Sequence, residues 1–315
     1  MIFQAFRRLR ELGILSMNSR NADYIMEGNP RSLFPLVDNK VLTKTLAEKH
    51  HIPTPSLYYL VEHQGSIAEI PKILKEKKEF AVKPARGSGG NGILLIKGMT
   101  EKGFLTQSRK VIPQEDFNYH LSSILAGIYS LEGLEDKAMI EALIHPDPVF
   151  NEVAYQGVPD ERVVVYRGVP VMAMVRLPTR ASDGKANLHR GAIGAGIWLD
   201  SGMTMSAVHH SQLITRHPDT GNSLRGIQIP YWDRILLMAA KVTEMTGLSY
   251  IGADFVLDRK SGPVLLELNA RPGLAIQLAN QSGLRSRLEK IDRAPREIFQ
   301  TAESRVDWAR ETFGQ

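Results

Sequence analysis

Four glycines, Gly87, Gly89, Gly90 and Gly92, fall within six residues just after Phe80-Ala81-Val82-Lys83-Pro84, a run that reads as a strand carrying a lysine at its end. Glycine lets backbone N–H groups approach phosphate oxygens with no Cβ in the way, and a strand-end lysine adds a point charge to the same anion. The stretch from Lys83 through Arg86, Gly87, Ser88, Gly89, Gly90 and Asn91 to Gly92 therefore suits a phosphate cradle; the alternative is a glycine-rich hairpin tip with no ligand. It is not a P-loop, because no Gly-Lys-Ser/Thr follows, and not a dinucleotide fingerprint, because a strand rather than a helix comes next.

A second group is Asp254, Glu267 and Asn269, on two apolar runs joined by Arg259-Lys260-Ser261-Gly262. A turn centred on Lys260 and Ser261 sets Asp254 opposite Glu267, and Asn269, two residues on, shares that face. Three oxygen-bearing side chains then converge in an apolar hairpin, as expected for Mg²⁺ held between carboxylates and nucleotide phosphates, against the alternative of a solvent-facing polar stripe. Ala253, Phe255, Leu266 and Leu268 are expected to form the buried face. Arg162, Arg176, Arg190 and Arg271 stand at strand ends or in loops, where a guanidinium can clamp carboxylate or phosphate.

The elements that position these groups follow from periodicity. Residues 1–30 open with a basic amphipathic helix (Ile2, Phe3, Phe6, Leu9, Leu12, with Arg7, Arg8 and Arg10), which either packs on the body or meets a membrane surface or a protein partner. Asp38 or Asn39 caps a helix running to about His51, stopped by Pro53 and Pro55. A lysine-rich helix over 67–78, strands over 79–84 and 93–97, a polar helical stretch over 107–132 and a strand over 138–144 follow. Strands over 161–168 and 170–178 form an antiparallel pair, 179–196 is a loop, and 200–226 is irregular, a surface segment or lid. Pro230 opens a helix that stops at Gly247, and two strands and a helical tail complete an α+β chain.

Composition bounds the chemistry. The 315 residues are 43% hydrophobic and 23% charged, an ordinary globular balance, and contain no cysteine, which excludes disulfides, thiol nucleophiles and thiolate metal sites. The net charge of +5 favours acidic ligands without naming one. No basic run is interleaved with aromatics, so nucleic acid is not expected as the primary partner. Apolar runs fall short of the ~20 residues of a spanning helix, and the start lacks a signal-peptide core, so a cytoplasmic location is expected. His209-His210 has no accompanying metal-spaced ligands and reads as surface.

The lysine-ended strand, the glycine-rich flap, Glu141 on an apolar strand and the late Asp254…Glu267-Leu268-Asn269 resemble the ATP-grasp superfamily of ATP-dependent carboxylate–amine ligases, over about residues 36–280. Within it the chain looks most like the RimK-type glutamate ligases. Asp38-Asn39-Lys40 resembles their first Asp-Lys step, Asp160-Glu161-Arg162 their Asp-x-Arg strand start, and Asn187-Leu188-His189-Arg190-Gly191 their Asn-x-His-Arg-Gly loop. Glu267-Leu268-Asn269-Ala270-Arg271-Pro272-Gly273-Leu274 resembles their Glu-x-Asn-x-x-Pro-Gly-Leu ending, with arginine where they often carry a small polar residue.

The resemblance implies an ATP-grasp fold, two α+β subdomains clasping ATP. The expected divisions are a shortened N-terminal region (1–66) with the first ATP lysine, a small subdomain (67–145) with the flap, and a large C-terminal subdomain (146–315) with the metal site. Lys40 and Lys83 would contact ATP phosphates under the flap of residues 86–92, and Glu141, Ala142, Leu143 and Ile144 would receive the adenine. Asp254, Glu267 and Asn269 would hold Mg²⁺, or Mn²⁺ in its place. Arg162, Arg176, Arg190 and Arg271 would face the γ-phosphate or acyl group, and Asn187, His189 and Arg190 would line the site of the carboxylate, an amino acid such as glutamate, and its amine acceptor. An oligomer is compatible with this reading. Phosphoryl transfer to a hydroxyl, or nucleotide binding without turnover, are the alternative activities.

Overall fold

The computed structural model describes residues 2–87, 89–130 and 133–314; Ser88 and the side chains of Ile2, Phe3 and Phe6 lie outside the described set. The chain divides into two compact units, Met1–Asp38 with Thr45–Pro53 and His145–Gln315, and Asn39–Lys44 with Thr54–Ile144. Residues 1–38 therefore share a unit with the C-terminal strands instead of forming part of a separate region over 1–66. Buried side-chain bonds explain this: Asn29 donates to Tyr250 O at 2.7 Å and accepts from Tyr250 N–H at 2.9 Å, and Leu15 N–H donates to Gln277 at 2.8 Å. Helix α1 (Ile2–Glu11) leads the larger unit, and Leu9 on it and Leu12 just after it are exposed. Helix α2 (Lys40–Lys49) starts at Asn39, whose Oδ1 accepts from Val41 N–H at 3.0 Å as an N-cap.

The smaller unit holds a six-stranded antiparallel sheet of β1 (Leu57–Val61), β2 (Phe80–Pro84), β3 (Leu94–Thr100), β4 (Gly103–Thr106), β5 (Val111–Ile112) and β6 (Ala138–Glu141), in the order β1-β6-β2-β3-β4-β5. Helix α3 (Gln114–Leu125) covers one face, where Phe104 and Phe117 stack at 4.1 Å and Phe80 meets both edge-on. The helix expected over 67–78 shrinks to a 3₁₀ turn, Gln64–Glu69, and one α turn, Ile70–Ile73. Leu74 is its last buried residue, and the charged run after it has no apolar stripe to bury.

The larger unit holds a seven-stranded antiparallel sheet of β7 (Asp160–Tyr166), β8 (Val169–Leu177), β9 (Ile193–Ile197), β10 (Thr204–His209), β11 (Gln212–Ile214), β12 (Tyr250–Asp258) and β13 (Gly262–Asn269), in the order β11-β10-β9-β8-β7-β12-β13. Helices α4 (Trp232–Thr246) and α6 (Ala302–Phe313) pack on this sheet, with α5 (Leu284–Asp292) against β8. The segments expected to be loop or lid contain β9 to β11. In β9 the strand character is hidden by small residues: a Cβ on Gly196 would lie 2.5 Å from Ala279 O, so close backbone approach demands glycine there. Among the described residues no helix is long and apolar enough to cross a membrane.

The β12–β13 hairpin corrects the expected register. Asp254 does face Glu267 and Gly252 faces Asn269, but Phe255 pairs with Leu265 and Asp258 with Gly262. A bulge at Leu266 absorbs the difference, so Leu265 and Leu268 are buried while Leu266 is only half-buried.

Candidate functional site

In the smaller unit, β2 and β6 lie side by side with Ala81 opposite Glu141, which makes Lys83 a diagonal neighbour of Glu141 on the same face. Lys83 Nζ donates to Glu141 Oε1, and Lys44 Nζ, from the first turns of α2, lies 3.0 Å from Oε2. Burial raises the Glu141 carboxyl, but Lys83 and then Lys44 outweigh it and hold the group below its ordinary range. Lys44 is itself lowered by burial, with Glu141 opposing that shift. Lys44 was not among the residues expected at the site, although its i+4 spacing from Lys40 on one helix face was readable.

The glycine-rich stretch is held from several sides. Lys40 Nζ donates to Gly87 O, Lys40 N–H donates to Ala85 O at 2.9 Å, and Arg86 N–H meets both Asp136 oxygens at 3.1 and 3.0 Å. A Cβ on Gly87 would fall 2.2 Å from Pro84, and one on Gly92 (φ +72°) 2.5 Å from the Tyr129 ring. Gly89 and Gly90 have φ of 62° and 75°, in the left-handed region that glycine enters without a Cβ clash. Ala142 N–H donates to Ser56 O at 2.8 Å, Leu143 is buried and Ile144 half-buried.

In the larger unit the strand register lines up charges across one face: Glu267 opposite Asp254, Asp254 opposite Arg162, and Asp160 opposite Arg176. Arg162 grips Asp254 with two bonds, Nε to Oδ1 at 2.7 Å and Nη2 to Oδ2 at 2.6 Å. Arg176 Nη2 reaches Asp160 Oδ2 and Asp254 Oδ2, each at 2.7 Å, and Asn269 Nδ2 donates to Asp254 Oδ2 at 3.2 Å. Asp254 is 1% exposed, whereas Glu267 and Asn269 on the same face are half-buried. Burial raises Asp254, but Arg162 and Arg176 bring it below its ordinary value; burial, with Asp254 adding a like charge, pushes Asp160 up to about 7 against the pull of Arg176. Asp160 was not expected at the site, although it stands two residues from Arg162 on one strand face.

Asn187, His189 and Arg190 share one short segment: Asn187 Oδ1 caps the 3₁₀ turn Leu188–Arg190 by accepting from His189 N–H at 3.0 Å, and His189 and Arg190 are exposed. Arg271 lies 5.1 Å from the Phe34 ring centroid and borders a cavity of about 490 Å³ that Asn21, Ile25, Met26 and Arg31 also line. His209, expected to be plain surface, is half-buried and bonded to Gly191 O.

Asp254, Glu267 and Asn269 offer oxygen donors, which suit a hard divalent cation bound by one or two carboxylates plus phosphate oxygens. Among the described residues no group of three or more histidine or acidic side chains is placed to hold a metal, so the asparagine and the nucleotide must complete such a set. The donors fit with Asp254 already engaged: its Oδ2 accepts from Arg162, Arg176 and Asn269, whereas its Oδ1 accepts from Arg162 alone and keeps a lone pair for a cation.

No curated protein matches the chain in sequence. Among solved structures it is similar to the ATP-grasp ligase PsnB complexed with a minimal precursor (12% identity, TM-score 0.45, 89% of this chain and 62% of that chain). It is also similar to the D-cycloserine synthetase DcsG (15%, 0.43, 89% and 73%) and to D-alanine–D-alanine ligase from Bacillus anthracis complexed with ATP (12%, 0.45, 89% and 68%). The chain thus spans less than two thirds of the PsnB chain. The family model for sugar-transfer associated ATP-grasp proteins matches residues 19–293, and the chain belongs to that ATP-grasp family, with its α+β fold.

Proposed function

We propose that the chain is an ATP-dependent carboxylate–amine ligase. A substrate carboxylate oxygen attacks the γ-phosphorus of ATP, ADP leaves, and an amine then attacks the acyl carbon, expelling phosphate and losing a proton to give an amide. The observation that carries this reading is the row Glu267, Asp254, Arg162 with Asp160 and Arg176, acidic and cationic groups set by strand register on one face, of which Asp160, Arg162 and Asp254 are buried and Glu267 and Arg176 half-buried. Such a row serves a reaction whose transition state spreads negative charge over a phosphoryl group, where positioning and fixed charge supply most of the rate.

In this reading Lys40 and Lys83 bind the phosphates, and Lys44 stays on Glu141 when Lys83 turns to them. The glycine stretch excludes water, which would otherwise hydrolyse the acyl phosphate. Asp254, Glu267 and Asn269 would hold Mg²⁺, which neutralises phosphate charge. Arg162, Arg176 and Arg271 stabilise the oxygens that gain charge, and Asn187, His189 and Arg190 bind the acid. The acid is an amino acid, glutamate on the RimK-type likeness, and the acceptor is an amine of a peptide or small metabolite.

The test is ADP release from Mg-ATP with pools of amino acids, with hydroxylamine as a strong nucleophile. Hydroxamate formed with one acid supports the ligase and names that acid. ADP release that depends on a hydroxyl compound and yields no hydroxamate would replace the reading by phosphoryl transfer.

A further inference from the structure

Segment 179–191, which carries Asn187, His189 and Arg190, is closed at both ends by imidazoles whose sequence context has no motif. His217, 1% exposed, has its Nε2 3.2 Å from Pro178 O, and its Nδ1 accepts from Asp219 N–H at 3.2 Å. An acceptor on one side and a donor on the other fix the proton on Nε2, so the ring donates to Pro178. Asp219 completes this end by accepting from Arg180 N–H through Oδ2 at 2.7 Å. At the other end His209 Nε2 donates to Gly191 O at 3.0 Å, beside the Thr179 hydroxyl, which reaches the same oxygen at 2.7 Å. Gly191 has φ +98°, a conformation that favours glycine, and its Cβ would lie tightly at 3.2 Å from Ala181 and 3.3 Å from the His210 ring. Midway, a Cβ on Gly157 would fall 1.8 Å from Gly184 O, so the two backbones touch there.

We propose that His217 and His209 are positioning residues that clamp segment 179–191 and thereby fix Asn187, His189 and Arg190 for the acid substrate. This rests on the ligase reading only for the identity of what the segment binds; the clamp itself rests on the bonds above. The side chains that form the clamp come from β10 and the turn after β11, so the segment is held from outside its own sequence neighbourhood.

The test uses the full chain with His217→Phe, His209→Phe and the paired variants His217→Gln and His209→Gln, whose amide Nε2 can donate again. Hydrogen–deuterium exchange is read at residues 180–191 and, as an internal control, in β8 and β9. Each Phe variant is expected to exchange about tenfold faster in 180–191 with the control strands unchanged, as loss of one buried hydrogen bond allows. The Gln variants should recover most of the protection. With L-glutamate as the probe acid, the Phe variants should raise its KM and leave the KM for ATP within twofold, roughly the scatter of one small contact. Unchanged exchange in 180–191, or Gln variants no better than Phe, would overturn the clamp. If His217→Phe fails to fold, the half-buried His209 pair decides. A wild-type chain inactive with L-glutamate would count against that substrate, while the exchange pattern would still decide the clamp.

Discussion

Glu161 is fully buried on β7, between Phe255 and Val175 in the ladder, and neither carboxyl oxygen meets a donor from another residue. Burial first, then the like charges of Asp160 and Asp147, raise it well above its ordinary range. An acid raised by folding binds its proton more tightly in the native state. Its effect on stability is therefore nil below the unfolded pKa and becomes a growing penalty as pH rises above it. Replacing it by Leu removes an unsatisfied buried carboxyl, a gain of about 1–3 kcal/mol. For a unit of this size that corresponds to a rise in Tm of about 2–12 °C. Thermal unfolding of Glu161→Leu and Glu161→Gln beside the parent, at pH 5 and pH 8, measures this. Leu should stabilise at both values and more at pH 8, and Gln should recover the pH-dependent part alone. A Leu variant less stable than the parent at pH 8, or a gain independent of pH, would refute the reasoning and show that the carboxyl has a partner.

Further consequences can be measured one by one. Asp254→Asn leaves Arg162 and Arg176 short of a counter-charge; denaturant unfolding should show a loss of about 3–5 kcal/mol, and phosphate release from Mg-ATP should stop. Normal turnover in that variant would remove Asp254 from the site. Lys44→Met leaves Glu141 on Lys83 alone, so Lys83 is held back and the KM for ATP should rise about tenfold, or ~1.4 kcal/mol; an unchanged KM would show that Lys83 does not need the second lysine. Gly196→Val drives a side chain into the Ala279 carbonyl at the 2.5 Å approach, and urea unfolding should show a loss of about 1–3 kcal/mol.

The sequence was most legible where strands alternate over a full apolar run. Lys83, Arg162, Asp254 and Glu267 could be placed on their strands from period-two patterning, and the Asp254–Glu267 pairing followed from turn arithmetic. That arithmetic agreed at 254 and 267 only because the bulge at Leu266 offsets a turn centred one half-step earlier than expected, and a bulge leaves no compositional mark. Strand β9 stayed hidden because its small residues, Gly196 above all, answer to close backbone approach rather than β-propensity, and β10 and β11 because their short polar runs lack a full apolar alternation. Lys44 and Asp160 lay within reach of simple spacing rules, at i+4 and i−2 from residues already singled out. His209 and His217 did not, because their partners are backbone carbonyls on a distant segment, which no side-chain motif encodes.

The central claim is that a carboxylate is activated as an acyl phosphate, and the path of one oxygen tests it most directly. The acid found by hydroxamate trapping is supplied with ¹⁸O in its carboxylate, together with Mg-ATP and the amine, and the released phosphate is analysed by mass. The account predicts that each phosphate carries one ¹⁸O from the acid. Unlabelled phosphate formed at the same rate as the amide would contradict it.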